Sequence, residues 1–144
     1  MKKQSLEILY RYRNHLLEKE QINLQDRIAE ENQQKARLLQ LQARVKETHD
    51  AKLKARSVEE LCTLDESAAY LHSRMTMARR AIGLAGQARA EALDRTLKAK
   101  QARDQIGLLL EKNRRDHIRS MDKTERHQLD EMVASRYAMA LRGV

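Results

Sequence analysis

Residues 61–90 read LCTLDESAAYLHSRMTMARRAIGLAGQARA, and this stretch decides the fold. Leu61, Leu64, Ala68, Leu71, Met75, Ala78, Ile82 and Ala85 stand at alternating spacings of three and four residues, and the pattern continues less strictly through Ala92, Ala99, Ile106 and Leu110. A seven-residue repeat of this kind keeps one stripe of a helix turned toward a partner helix. No proline interrupts it anywhere in the chain. The protein is therefore expected to be mostly a docking surface, with little to enclose an active site.

Composition agrees with an elongated helical protein. Of 144 residues, 35% are charged and 3% aromatic, and Phe and Trp are absent. A compact core needs bulky apolar groups; this chain is filled instead with Glu, Gln, Lys, Arg, Leu and Ala, which lose little rotamer freedom in a helix. Few aromatics also accompany disorder, but sustained amphipathic periodicity opposes that reading. No run of about 18 apolar residues is present to span a bilayer. Met1-Lys2-Lys3-Gln4 leads into a mixed polar helix and not into the apolar stretch of a secretory signal, so a cytoplasmic address is expected. Cys62 is the single cysteine, which excludes an intramolecular disulfide and fits a reducing compartment. It is expected to be an ordinary buried or half-buried thiol.

Upstream of the repeat, Leu6, Leu9, Tyr10, Leu16, Leu17, Leu24, Ile28, Leu38, Leu39, Leu41, Val45 and Leu53 fall within roughly half the helix circumference at 100° per residue. Within them Leu6, Leu17, Ile28 and Leu39 recur every eleven residues, a spacing that straightens or reverses the usual supercoil. These residues form one helix from about 5 to about 55. Ser57-Val58-Glu59-Glu60 matches a capping box, and Thr63-Leu64-Asp65-Glu66 offers a second helix start, so the turn is expected within 55–66. A second helix follows, from about 66 to about 140. The fold class is all-α: one domain over 1–144, a long antiparallel two-helix coiled-coil hairpin in which each apolar stripe covers the other.

Unequal helix lengths leave a remainder. With the turn near residue 60, position 5 lies opposite roughly residue 115 at about 1.5 Å per residue. Beyond Arg115, Ile118, Met121, Leu129, Met132 and Met139 share one face, interrupted by Glu125 and Arg136. An exposed apolar stripe calls for a partner protein, and methionines suit an irregular groove. Self-association, or a shifted turn that lets the first helix cover the stripe, are the alternatives.

Catalytic and metal chemistry find no support. His15, His49, His72, His117 and His127 lack the i, i+4 pairing of a helical zinc site, and no Cys-x-x-Cys accompanies them. Gly83-Leu84-Ala85-Gly86 lacks the strand and the Gly-Lys-Ser/Thr of a phosphate loop; its glycines are expected to allow close helix approach or a flexible point. No enzyme activity, cofactor or metal is expected. Lys and Arg number 29 against 21 Asp and Glu, a net charge of +8, which also suits nucleic-acid binders. The basic residues are interleaved with acids, however, and the doublets Arg79-Arg80 and Arg114-Arg115 have no aromatic stacking platform. A solvated face, an acidic protein or membrane surface, and nucleic acid remain open in that order.

Taken together, these residues resemble the FliJ family of the bacterial flagellar type III export apparatus, over essentially the whole chain. The opening Leu6-Glu7-Ile8-Leu9-Tyr10-Arg11-Tyr12-Arg13 with Glu18 and Glu20, the Tyr70-Leu71 pair, and Glu125-Arg126-His127-Gln128-Leu129-Asp130-Glu131 followed by Arg136 carry the resemblance. Arg74 departs from it, standing where an aliphatic residue is expected four after Tyr70.

The resemblance implies an antiparallel coiled coil similar to the gamma-subunit stalk of rotary ATP synthases. It implies insertion of the end carrying both termini into the hexameric export ATPase, contact with the cytoplasmic domain of the export gate, and handling of export chaperones. The tip would comprise Leu6, Leu9, Leu16, Leu17, Ile118, Met121, Leu129, Met132 and Met139. The gate contact would comprise Leu71, Met75, Ala78 and Ile82, which are also the best seam positions. The protein would sit in the cytoplasm, peripheral to the inner face of the bacterial membrane. The stalk of a virulence type III secretion system, a basic nucleic-acid-binding module and a homodimeric structural coiled coil are the competing readings.

Overall fold

In the computed structural model, which describes residues 2–143, the chain is an all-α two-helix hairpin: α1 spans Lys3–Leu53 and α2 spans Val58–Arg142. The last turn of α1 tightens as the Lys54 N–H donates to the Ala51 carbonyl at 3.1 Å and the Ala55 N–H to that of Lys52 at 3.2 Å. These i→i−3 bonds satisfy carbonyls that the helix end would otherwise leave bare. The chain reverses through residues 54–57 without a positive φ at any described residue.

Ser57 then starts α2. Its Oγ accepts the Glu60 N–H at 3.1 Å, and the Glu60 carboxylate accepts the Arg56 N–H at 3.2 Å. The box forms as expected except that Glu60 reaches one residue further back than the cap itself. Of the two start signals the first is used, so α2 begins at Val58 and not near 66. Thr63 lies within the helix, its hydroxyl donating to the Glu59 carbonyl at 3.0 Å. Glu59 and Glu60 in the first turn and Arg142 in the last match the helix dipole.

The chain divides into two compact units, His15–Ala99 and Met1–Asn14 with Lys100–Val144. In the first, Leu41, Leu71, Met75 and Ala78 form a buried cluster, with Leu38 and Val45 packed against it. A fully buried leucine contributes about 1.5–3 kcal/mol relative to an exposed one. Antiparallel register is fixed by cross-helix polar contacts. Lys52 Nζ lies 2.6 Å from Asp65 Oδ1, Arg89 Nε lies 2.6 Å from Glu31 Oε2, and the Thr96 hydroxyl lies within hydrogen-bond distance of two carbonyls, Ala92 at 2.8 Å and Glu20 at 3.2 Å.

The eleven-residue repeat of α1 does not form its seam. Leu6 and Leu17 are buried, but Ile28 is 40% and Leu39 66% exposed. The inward positions of α1 instead follow the same seven-residue spacing as α2, through Leu17, Glu20, Leu24, Arg27, Glu31, Gln34, Leu38, Leu41, Val45, Thr48 and Lys52, all buried or half-buried. Polar side chains at many of these positions conceal the repeat from a reading that follows apolar residues alone.

In the second unit, Leu6 is buried, and Tyr10 and Arg13 are half-buried, as are Arg103, Ile106, Gly107 and Leu110. Arg103 Nη1 donates to Asn14 Oδ1 at 3.3 Å. A Cβ at Gly107 would stand 3.4 Å from the Tyr10 ring, in ordinary van der Waals contact. By contrast, a Cβ at Gly83 or Gly86 would meet nothing within 4 Å. Those two glycines do not serve close helix approach; Gly107 alone of the three faces a side chain of the other helix.

Candidate docking surfaces

Lys3 and Glu7 line one hollow with Leu110, Glu111 and Arg114, which sets the start of α1 level with the 110–114 stretch of α2. Past that level α1 supplies no further residue, and every described residue from 114 to 143 is exposed. The segment is nonetheless helical to Arg142, supported by its own side-chain pairs. Arg115 meets Glu111 at 2.8 Å and His127 meets Glu131 at 3.1 Å, each one helical turn apart.

Five of the expected tip residues, Ile118, Met121, Leu129, Met132 and Met139, lie on this segment and are between 48% and 69% exposed. Val133, Tyr137 and Leu141 are exposed beside them and were not part of that stripe. They follow Leu129 at steps of four, and the four-residue step was the signal that could have found them. At 100° per residue, the apolar positions from Leu129 to Leu141 sweep about 200° of the circumference. Such a segment presents apolar surface on more than one side.

The α1 part of the expected tip is less accessible than the α2 part. Leu6 and Leu17 are buried and Leu9 and Leu16 half-buried, because all four turn into the helix pair; Leu16 and Leu17 also belong to the other unit. The apolar side chains that α1 does expose near its start are Ile8 and Tyr12. The expected gate contact meets the same obstacle. Leu71 is 2% exposed, Met75 and Ala78 are buried and Ile82 half-buried, so these residues are occupied in the seam of the closed hairpin. On that part of α2 the exposed apolar residues are Tyr70, Met77 and Leu84, each one position before a seam residue.

Electrostatics concentrate at Glu31, the buried charged residue among those described. A hydrogen bond from Lys35, at 2.9 Å, is the main reason its carboxyl is held below the ordinary carboxylate range; burial opposes this, and the positive charge of Arg89 assists it. The Arg89 contact is an ion pair without the alignment of a hydrogen bond. Arg13 Nε and Gln34 Oε1 are likewise buried without a hydrogen-bond partner. Leaving such a group unsatisfied costs about 1–3 kcal/mol. Cys62, expected to be at least half-buried, is exposed.

Among the described residues, no helix is long and apolar enough to cross a membrane. Compared with family models, curated proteins and solved structures, the chain matches none.

Proposed function

We propose that this chain is a non-catalytic stalk and escort component of the bacterial flagellar type III export apparatus, binding the centre of the hexameric export ATPase. The observation that carries this reading is the helical segment 114–143, exposed at every residue and apolar over about 200° of its circumference near its end. A one-sided groove would cover only part of that arc, whereas the interior of a ring surrounds it. The sequence resemblance suggests the identity of the ring, and the exposed apolar arc supports an enclosing partner.

In this reading Ile118, Met121, Leu129, Met132 and Met139 dock together with Val133, Tyr137 and Leu141. A single helix in a symmetric ring touches its subunits unequally, which would bias their nucleotide states and their assembly. The gate domain and export chaperones are further partners implied by the resemblance. The gate contact cannot use Leu71, Met75 and Ala78 while the hairpin is closed.

The test is a pull-down and turnover assay with the purified export ATPase, comparing the full chain with a truncation after Arg115. Loss of binding and of any effect on ring assembly and ATP hydrolysis is expected for the truncated chain. Undiminished binding by that chain, or a full-length protein that leaves both assembly and hydrolysis unaltered, overturns the reading.

A further inference from the structure

On the flank of the His15–Ala99 unit lies a groove of about 350 Å³ whose walls include Gln34, Arg37, Arg44, Tyr70, Arg74 and Met77. Three guanidiniums gather around it. Among the described residues none of these three arginines has a carboxylate partner, so their charges are free to meet an incoming anion. The Arg74 guanidinium stands 5.8 Å from the centre of the Tyr70 ring, which holds it at the rim of the groove. Met77 and Tyr70 are both exposed and supply an apolar floor between the charges.

Patches of this composition match a definite chemistry. A guanidinium fork pairs with a carboxylate in two parallel hydrogen bonds, and thioether and aromatic surfaces accept an aliphatic side chain. We propose that the groove binds an acidic segment of a partner protein, with carboxylates on Arg37, Arg44 and Arg74 and an intervening apolar side chain on Met77.

Charge placement along the flank selects a short acidic segment over a nucleic acid or an anionic bilayer. Seven residues before Arg37 and three after Arg44, on the same face of α1, stand Glu30 and Glu47. Along α2, Ser67, Ala81 and Leu84 carry no positive charge, Glu66 stands one turn before Tyr70, and Arg80 is the one further cation beside Met77. A phosphate backbone or a lipid surface following the helices would meet the carboxylates of Glu30, Glu47 and Glu66 within about two turns of the patch. Nucleic-acid affinity needs many phosphate contacts in succession. A segment a few residues long fits within the patch. This site is separate from the exposed end of α2, and its test does not involve the export ATPase.

Fluorescence anisotropy with the full chain tests the proposal. The probes are a fluorescein-labelled peptide of Asp, Glu and Leu, its Asn/Gln/Leu counterpart, a labelled single-stranded oligonucleotide, and vesicles containing phosphatidylserine. The acidic peptide is expected to bind and the amide counterpart not. Arg37→Gln and Arg74→Gln should each weaken binding roughly tenfold, and Met77→Ala several-fold. Arg37→Lys should recover part of the loss, because charge returns without the fork. All these side chains are exposed, so circular dichroism should be unchanged in the variants. Failure of the acidic peptide to bind, equal binding by the amide peptide, or an affinity indifferent to Arg37→Gln and Arg74→Gln overturns the proposal. Tighter binding of the oligonucleotide or vesicles, lost with the same substitutions, also overturns it in favour of a general polyanion surface.

Discussion

At position 31 a carboxylate occupies a place that an apolar side chain fills in a simple heptad, and its partners come from both helices: Lys35 and Arg89. A triad of this kind gives little net stability over a hydrophobic replacement, but removing the carboxylate leaves the two cations without a counter-charge. Its use here is to fix register, since a slip of the helices by one turn would separate Glu31 from Arg89. Glu31→Gln is therefore expected to lower the unfolding midpoint at neutral pH. The folded-state pKa is depressed, so the stabilising contribution is present above the unfolded carboxylate value and disappears as pH falls through the folded one. Unfolding followed by circular dichroism should show the gap between wild type and Glu31→Gln closing in acid. A gap that persists at low pH would mean that the charge is not its source. None of this was legible in the chain, because a Glu among many charged residues carries no mark of burial. It becomes visible only when the partner helix sets Arg89 beside it.

At the scale of the element, both helices were readable, but the seam was plain in α2 and concealed in α1, for one physical reason. Inward positions of α2 from Leu64 to Ala85 are all apolar, so counting apolar residues finds the seam directly. In α1 the same spacing passes through Glu20, Arg27, Glu31, Gln34, Thr48 and Lys52, while Ile28 and Leu39 stand outside it. An apolar count then follows the wrong residues to an eleven-residue period. The turn was legible through Ser57 and Glu60, whose side chains carry the capping bonds themselves. Glycines divide along the same line between local and tertiary causes. Gly83 and Gly86 sit in helix with open space about them, so Gly83→Ala and Gly86→Ala should each stabilise by about 0.5–1 kcal/mol. Gly107→Leu should destabilise by about 1–3 kcal/mol, because the new side chain meets the Tyr10 ring. Urea unfolding of the three variants measures both signs; destabilisation by Gly83→Ala would show a packing role that the backbone geometry does not reveal.

For the molecule as a whole, the difference between an 85-residue α2 and a 51-residue α1 is the feature on which the proposed function rests. That inequality was legible from the turn position and the length of the second repeat. Which side chains it leaves exposed was legible only in part, since the α1 leucines offered as tip residues are consumed by the hairpin. Because no described residue beyond 113 is buried, truncation after Arg115 should leave the melting midpoint of the remaining hairpin within a few degrees of the full chain, with ellipticity falling by the helix removed. A collapse of the midpoint would mean that the segment supports the hairpin. A helix without tertiary contacts keeps its form on local bonds alone, and helix–coil relaxation in such a segment takes about 0.1–1 μs. A segment of this kind relaxes on that timescale independently of the paired helices. In the proposed function, the last thirty or so residues would act as a compliant coupling, whose stiffness is set by the partner that encloses them.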